Sequence, residues 1–301
     1  MTTTSVTTTI VIVAYRRPRS LARLLDSVGD PAYDIVVVNV DNDPEVLATA
    51  GNARVPVRVV AVDNRGYAAA VNAGAAVARG DVVVFTNDDV VLTPHAVAHL
   101  ADAVRVGGAD VALPRVVTRD GTDVGTALAL PTPERLLVEW ALLPDRPVPM
   151  LDGRIRVEKW RRPVATQRVD AATAATVAVR ADVLRSTPLP EGYFLYWEEM
   201  EWFWRLRESA RAVVLVPDAT VVHAGGHEDV RPEKSRLLAR NAVRCVRRTQ
   251  GVRAAALAYL IVILWNARLV FGDAARGAPR ARLTARIAGL AAALGSWREL
   301  T

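Results

Sequence analysis

The chain has 301 residues, is 51% hydrophobic and 23% charged, and carries a net charge of +6. That length supports a sizeable core in one or two domains, and the composition excludes a disordered chain. The single cysteine, Cys245, excludes an intrachain disulfide framework and a multi-cysteine metal centre.

The N-terminal "MTTTSVTTTI" has no basic region followed by an apolar core, so no secretory signal is read and the cytosolic side is expected. "TIVIVAY" is a short β-branched run of the kind that makes a buried parallel strand. Pro18 suits a helix first turn, and Leu21, Leu24, Leu25 and Val28 make a helical stripe. "DIVVVNV", "VRVVAV" and "DVVVFTN" read as further strands, with "YAAAVNAGAAVAR" as a helix between the last two. "TPHAVAHLADAVRV" then reads as a helix and "VALPRVV" as a strand. Repeated β-α-β units imply an α/β fold with a mostly parallel sheet and helices on both faces. Residues 120–168 are irregular and rich in proline, and are expected to shape a binding cleft. From about residue 233 the pattern is helical to the end.

Ligands of open α/β sheets bind beyond the carboxyl ends of the strands. Here those ends read Ala14-Tyr15-Arg16-Arg17, Asp41-Asn42-Asp43, Asp63-Asn64-Arg65-Gly66 and Asn87-Asp88-Asp89. Each alone is ordinary turn chemistry. Together they offer a ring, an arginine, amides and a carboxylate pair, a set suited to a nucleotide diphosphate with a divalent metal. Mg²⁺ and Mn²⁺ take hard oxygen ligands and bridge carboxylates to phosphates. Neither a G-x-x-x-x-G-K-[ST] loop nor a G-x-G-x-x-G after the first strand is present, which argues against a P-loop NTPase and a dinucleotide fold.

The stretch "YFLYWEEMEWFWRL" mixes aromatic rings with three glutamates. On a helix of about 100° per residue, Glu198, Glu201 and Arg205 share a face, and Glu201 and Arg205 can pair. Glu199 points elsewhere, with Phe203 and Leu206, and has no arginine beside it. A first-turn carboxylate is favoured by the helix dipole, which is expected to keep it ionised as a general base requires.

"AYRRP", "VDND", "NRGYAAAVNAG", "TNDDV", "GYFLYWEEMEWFWRLR" and "VVHAGG" together resemble the ordered motifs of family 2 inverting glycosyltransferases of GT-A fold. The likeness covers about residues 8–245 and is nearest the rhamnosyl- and galactofuranosyl-transferase branch. It implies that Ala14, Tyr15 and Asp41 hold the nucleotide base. It also implies that Arg17, Asn64, Gly66, Asn87 and Asp88 complete the nucleotide-sugar site. Asp89 and His223 stand where metal ligands are expected, for Mn²⁺ or Mg²⁺. Glu199 stands where the family places its catalytic base, usually an Asp after a Glu. Trp197 and Glu198 fall on the acceptor side, as does Asp170-Ala171-Ala172, which replaces a more glycine-rich segment. His227 is read as a loop residue. The implied activity moves a sugar from a dTDP- or UDP-linked donor, dTDP-rhamnose slightly ahead, to a glycan, lipid-linked or small-molecule hydroxyl. Two rivals stand beside it. One is a sugar-phosphate nucleotidyltransferase, which would want a glycine-rich, lysine-bearing loop after the first strand. The other is a non-catalytic nucleotide- or carbohydrate-binding protein.

The charge is uneven. Residues 231–301 carry 14 Lys+Arg against 3 Asp+Glu, leaving the first 230 residues at −5. A division into a catalytic domain, 1–232, and a basic helical region, 233–301, is expected. "AAALAYLIVILW" is apolar for twelve residues, short of the about 20 a membrane span needs. Leu283, Ile287, Leu290, Leu294 and Trp297 form a stripe with arginines nearby. Such a basic amphipathic helix suits an anionic membrane, at the inner face of the cell membrane, a second subunit of a homodimer, or an internal core; no nucleic acid is expected.

Overall fold

The computed structural model describes residues 8–30, 32–138, 164–223 and 230–300. His227, the "AGG" of "VVHAGG" and most of the irregular 120–168 segment lie outside the described residues.

The β-branched runs form strands where the alternation puts them: β1 (Thr8–Ala14), β2 (Asp34–Val40), β3 (Val57–Val62) and β4 (Val82–Asn87). All four are parallel, in the order β3-β2-β1-β4. Beyond β4 the sheet continues through β10 (Thr176–Arg180), β6 (Val111–Val117) and β11 (Val213–His223) to an edge strand, β5 (Val90–Leu92). β10 runs antiparallel between β4 and β6, while β6 and β11 are parallel. β5 and the short β8 (Gln167–Arg168) both pair antiparallel with β11. Pro114, which lacks an N–H, sits inside β6, and β11 skips register there between Val216 and Thr220. A separate two-stranded piece pairs β7 (Ala127–Leu128) with β9 (Ala171–Ala172).

Successive strand residues point to opposite faces, and this divides the interior into two cores. Ile10, Ile12, Ile35, Val37, Val82 and Val84 face α1 (Pro18–Ser27), α2 (Pro44–Gly51) and α4 (Ala96–Arg105). Val11, Val13, Val36, Val38, Val83 and Phe85 face α3 (Tyr67–Ala76), α6 (Ala181–Ser186) and α7 (Glu198–Glu208). The short α5 (Pro133–Leu136) contributes Leu136 to this second core. The aromatic half of the Glu-rich stretch is buried here: Trp202 meets Phe85 edge-on at 5.9 Å and Phe203 at 5.2 Å.

The C-terminal helices α8 (Pro232–Gln250), α9 (Val252–Ala275) and α10 (Arg280–Gly295), closed by a 3-10 turn over Ser296–Glu299, add Val243, Val246, Ile261 and Ala293 to the same core. α9 is 24 residues long, twice its apolar run. Asn266 continues the helix because its amide donates to Val262 O at 2.8 Å. Among the described residues α9 passes the length and composition test for a membrane span.

One close approach sets the position of α7. Gly66 precedes α3 at φ 102°, and a Cβ there would lie 2.3 Å from Phe194 O. Tyr67 N–H donates to that same carbonyl at 3.1 Å. Gly66→Ala is therefore expected to destabilise the fold by on the order of 2 kcal/mol and to loosen the loop before α7. Denaturant unfolding checks this; an unchanged midpoint would mean that the loop yields freely.

Candidate active site

The ends of β1, β2, β3 and β4 open on one edge of the sheet, as the parallel arrangement requires. Asp88 is buried and takes Tyr15 N–H at 3.0 Å. Burial raises its carboxyl to about 6 against that bond. Asp89 is bonded by Arg17 Nη1 at 2.5 Å on one oxygen and by His223 Nε2 at 3.1 Å on the other. Burial would raise Asp89, but His223 and Arg17 outweigh it and lower it. After Asp89 the chain reverses into β5, whose Val90 lies opposite His223 in β11. This strand pairing brings Asp89 to His223, 134 positions away in the chain.

Asp89 and His223 fit a divalent cation. Ligands about 2.1 Å from one ion at a right angle stand about 3 Å apart, close to the separation here. A hard carboxylate oxygen beside an imidazole suits Mn²⁺. Asn87 Oδ1 and His223 Nδ1 are buried with no partner, so this corner holds polar capacity the protein does not use. No cluster of three or more His, Cys, Asp or Glu is found among the described residues.

At the ends of β2 and β3 lies an open cavity of about 640 Å³ lined by Asp41, Asn42, Asp63, Arg65 and the small residues Ala61, Ala69 and Ala73. Asp41 also meets Arg16 at 3.5 Å, and Arg16 lies 5.0 Å over the half-exposed Tyr15 ring. Ala14 is buried at the end of β1, and Asn64 lies in the loop after β3. Gly66 is buried against the loop before α7, so its conformation is explained by packing. Arg16, Asp41, Asn42, Tyr196 and Trp197 all have positive φ, so left-handed backbone brackets the cleft. Such conformations gather at functional sites.

At the start of α7, Trp197 and Glu198 are buried and Glu199 is partly exposed. Oε2 of each glutamate is out of solvent with no partner. Burial raises both carboxyls, Glu198 furthest because the Glu199 charge adds to it. The expectation that the helix dipole keeps Glu199 low is thus corrected: desolvation outweighs the first-turn N–H groups. Like charges side by side make the two carboxyls titrate as a pair, with uptake of a proton favoured above the ordinary carboxylate range.

Glu201 is different. Tyr193 OH donates to it at 2.6 Å, Arg205 Nη2 at 2.5 Å and Arg248 Nε at 2.7 Å. The expected Glu201–Arg205 pair forms, but it belongs to a buried network rather than a solvated surface. The expected arginine beside Glu198 does not reach it: Arg205 turns to Glu201. α8 also holds the preceding loop, with Asn241 donating to Leu195 O and Tyr196 O and Arg244 to Gly192 O. On the acceptor side, Asp170 pairs with Arg135 and Ala171 and Ala172 are buried.

Sequence reasoning missed Tyr67. Its hydroxyl is buried without a partner. Burial raises it well above 10, and the charges of Glu198, Glu199, Asp89 and Asp88 raise it further. The phenol therefore lies between the β4 corner and the start of α7. Its position just after a strand-end Gly was the available signal.

A sequence model described as Glycosyl transferase family 2 matches residues 9–160, half of the chain. The chain belongs to glycosyl transferase family 2. That family segment holds Asp41, Asn64, Asp88 and Asp89, and ends before Glu199 and His223. A Bacillus subtilis (strain 168) protein, "Uncharacterized glycosyltransferase YwdF", is 33% identical over 99 residues, 32% of this chain and 37% of that protein. Among solved structures, GalNAc-T7 with UDP, GalNAc and Mn²⁺ matches with a TM-score of 0.59 at 17% identity, covering 80% of this chain and 48% of that one. TarS residues 1–349 of S. aureus, in complex with UDP-GlcNAc, match with a TM-score of 0.55 at 13% identity, covering 98% of this chain and 82% of that one. These likenesses establish the GT-A fold for this family 2 chain.

Burial would raise Glu201, but Arg248, Tyr193 and Arg205 together lower it below its ordinary 4.5. A depressed carboxyl adds stability that is complete above 4.5 and lost as pH falls through the folded-state value. Glu201→Gln is expected to destabilise the protein by about 2–3 kcal/mol at pH 7 and to flatten its stability between pH 5 and 3. Unfolding curves across that range check this; a parallel offset at every pH would contradict it.

Proposed function

We propose that this chain is a metal-dependent inverting glycosyltransferase that moves a sugar from a nucleoside-diphosphate donor to an acceptor hydroxyl. One observation carries the reading: Asp89, which meets His223 at metal-ligand spacing, and Glu199, whose Oε2 is buried and unbonded, both act on the buried Tyr67 hydroxyl. Family membership and the UDP- and UDP-GlcNAc-bound structural neighbours support a donor of this class. The donor is a UDP- or dTDP-linked sugar, and the acceptor a glycan or lipid-linked hydroxyl.

The nucleoside lies in the cavity along Asp41 and Asp63, with Tyr15 at its edge and the loop of Asn64 and Gly66 beside the sugar. A divalent cation held by Asp89 and His223 would neutralise charge developing on the leaving diphosphate. Arg17 adds a guanidinium at the same corner, and Asp88 holds the end of β1 through Tyr15 N–H. Glu199 takes the proton of the acceptor hydroxyl as its oxygen bonds the anomeric carbon. The carbon–phosphate-oxygen bond breaks on the opposite side, so configuration inverts and a nucleoside diphosphate leaves. Glu198 and Glu199 titrate as a pair above the ordinary carboxylate range, so the base is a carboxyl poised nearer neutral pH. Trp197 and Glu198 border the acceptor.

Glu199→Gln keeps the shape and loses the base. Turnover is expected to fall by about 10²–10⁴-fold with donor affinity nearly unchanged. In the unaltered enzyme kcat/KM is expected to rise with pH along a limb lying above the ordinary 4.5, and the variant is expected to lack that limb. Transfer rates against pH for both, with Glu201→Gln as control, decide it. If Glu201→Gln is inactive while folded and Glu199→Gln turns over normally, the base is the wrong carboxylate.

Asp89→Ala is expected to abolish Mn²⁺-dependent nucleotide-sugar binding in a folded protein. A panel of nucleotide-sugars with and without Mn²⁺, read by thermal shift, measures this, since ligands of the folded state raise its melting point. Equal Mn²⁺ dependence in the variant would remove Asp89 from the metal site.

A further inference from the structure

The C-terminal hairpin has its apolar side chains arranged in an unusual way. A helix on a protein surface normally turns its large apolar residues inward and its charges outward. α9 turns small or β-branched residues inward, with Ala255, Ala258, Ile261 and Val262 buried. Its outward face carries Leu257, Leu260, Leu264 and Phe271, 48–73% exposed, between Arg253 and Arg268. Only 28% of its most apolar window is buried. α10 repeats the pattern: Ala285, Ala288 and Ala293 are buried, while Ile287, Leu294 and the adjoining Trp297 are each 51% exposed, between Arg280 and Arg298. The helices pack antiparallel, with Tyr259 OH donating to Leu294 O and Gly289 against Asn266 Oδ1.

α9 is fixed to the body of the protein. Ala255, Ala258, Ile261 and Val262 share one core with Val243 and Val246 of α8, and Asp273 is bonded by Arg276, Arg282 and Arg286, which ties α10 to α9. One face is thus committed to protein, which excludes α9 as a lone span and leaves the other face for something apolar. The rim decides what that is. Residues 252–301 hold seven arginines against Asp273 and Glu299. Both acids are already engaged, Glu299 by Arg244. A two-fold contact with a second copy would bring two arginine-rimmed faces together, a like-charge arrangement. An anionic bilayer matches both features: hydrocarbon for the stripe, and phosphate for the rim.

We propose that α9 and α10 form a docking surface for an anionic phospholipid bilayer. The stripe lies in the headgroup–acyl boundary, and Trp297, Arg253, Arg268, Arg280 and Arg298 sit at headgroup level. The inference stands independently of the transferase reading, because it uses no residue of the cleft.

The test is vesicle flotation of the full chain at about 0.1 M salt. Vesicles of phosphatidylglycerol with phosphatidylcholine are compared with phosphatidylcholine alone. The unaltered protein is expected to float with the anionic vesicles at least tenfold more strongly. Leu260→Glu/Leu264→Glu is expected to lose at least tenfold, and Arg253→Ser/Arg268→Ser to weaken binding and reduce its salt dependence. All four side chains face outward, so circular dichroism and melting temperature are expected to be unchanged. Failure of the unaltered protein to float overturns the proposal. So does equal flotation of the leucine variant. A concentration-dependent dimer that Leu260→Glu/Leu264→Glu dissociates, without flotation of the unaltered chain, reassigns the face to an interface between copies.

Discussion

A carboxylate with almost no exposure, Glu201, holds the active-site side of this protein together. It ties α7 to its own Arg205, to Tyr193 of the preceding loop and to Arg248 of α8. A buried charge with a partner removed is expensive, so these three bonds lock the rotation of α7 about its axis. With Glu201 facing α8, the aromatic residues one and two positions on, Trp202 and Phe203, pack in the core beneath Phe85 of the sheet, and Glu199 lies on another face of the helix. Two carboxylates only two residues apart thus shift in opposite directions because their surroundings differ. Glu201 is lowered by its arginines and Tyr193, while Glu199 is raised by burial and leaves Oε2 unbonded.

The second constraint is the reversal at Asp88-Asp89. β4 lies in the middle of the sheet and β5 at its edge, yet two residues separate them. The turn places both aspartates where parallel strands end, and antiparallel pairing of β5 with β11 delivers His223. Asn241 and Gly66 serve the same end elsewhere, holding the strained loop of Tyr196 and Trp197 from two sides. The C-terminal helices are therefore part of the catalytic body through α8, while the outward faces of α9 and α10 remain available for a second task.

The first half of the fold was legible because β1 to β4 are continuous β-branched runs, a pattern few other structures produce. The polar ends of β2 and β3 were equally legible, and the structure gathers Asp41, Asn42, Asp63 and Arg65 around one cavity. β5 was not legible: three residues carry too little periodicity to separate a strand from a turn. The surroundings of Glu201 were hidden for another reason. A helical wheel shows Arg205 four residues on but cannot show Arg248, which arrives from α8. The ionisation of Glu199 was misjudged because dipole and desolvation oppose each other, and only packing says which is larger. α9 was underestimated because Asn266 and Arg268 look like interruptions, whereas Asn266 bonds inside the helix and Arg268 lies 5.8 Å over the Trp265 ring.

The central claim is that one edge of the sheet assembles the metal, the diphosphate and the base. Crystals grown with UDP and Mn²⁺, with anomalous scattering recorded for manganese, test it most directly. The account predicts one strong peak touching both Asp89 and His223, with the diphosphate on its far side, the nucleoside along Asp41 and Asp63, and Glu199 facing the open cleft. Bound UDP elsewhere on the protein, or UDP in this cleft with manganese remote from Asp89 and His223, would contradict it.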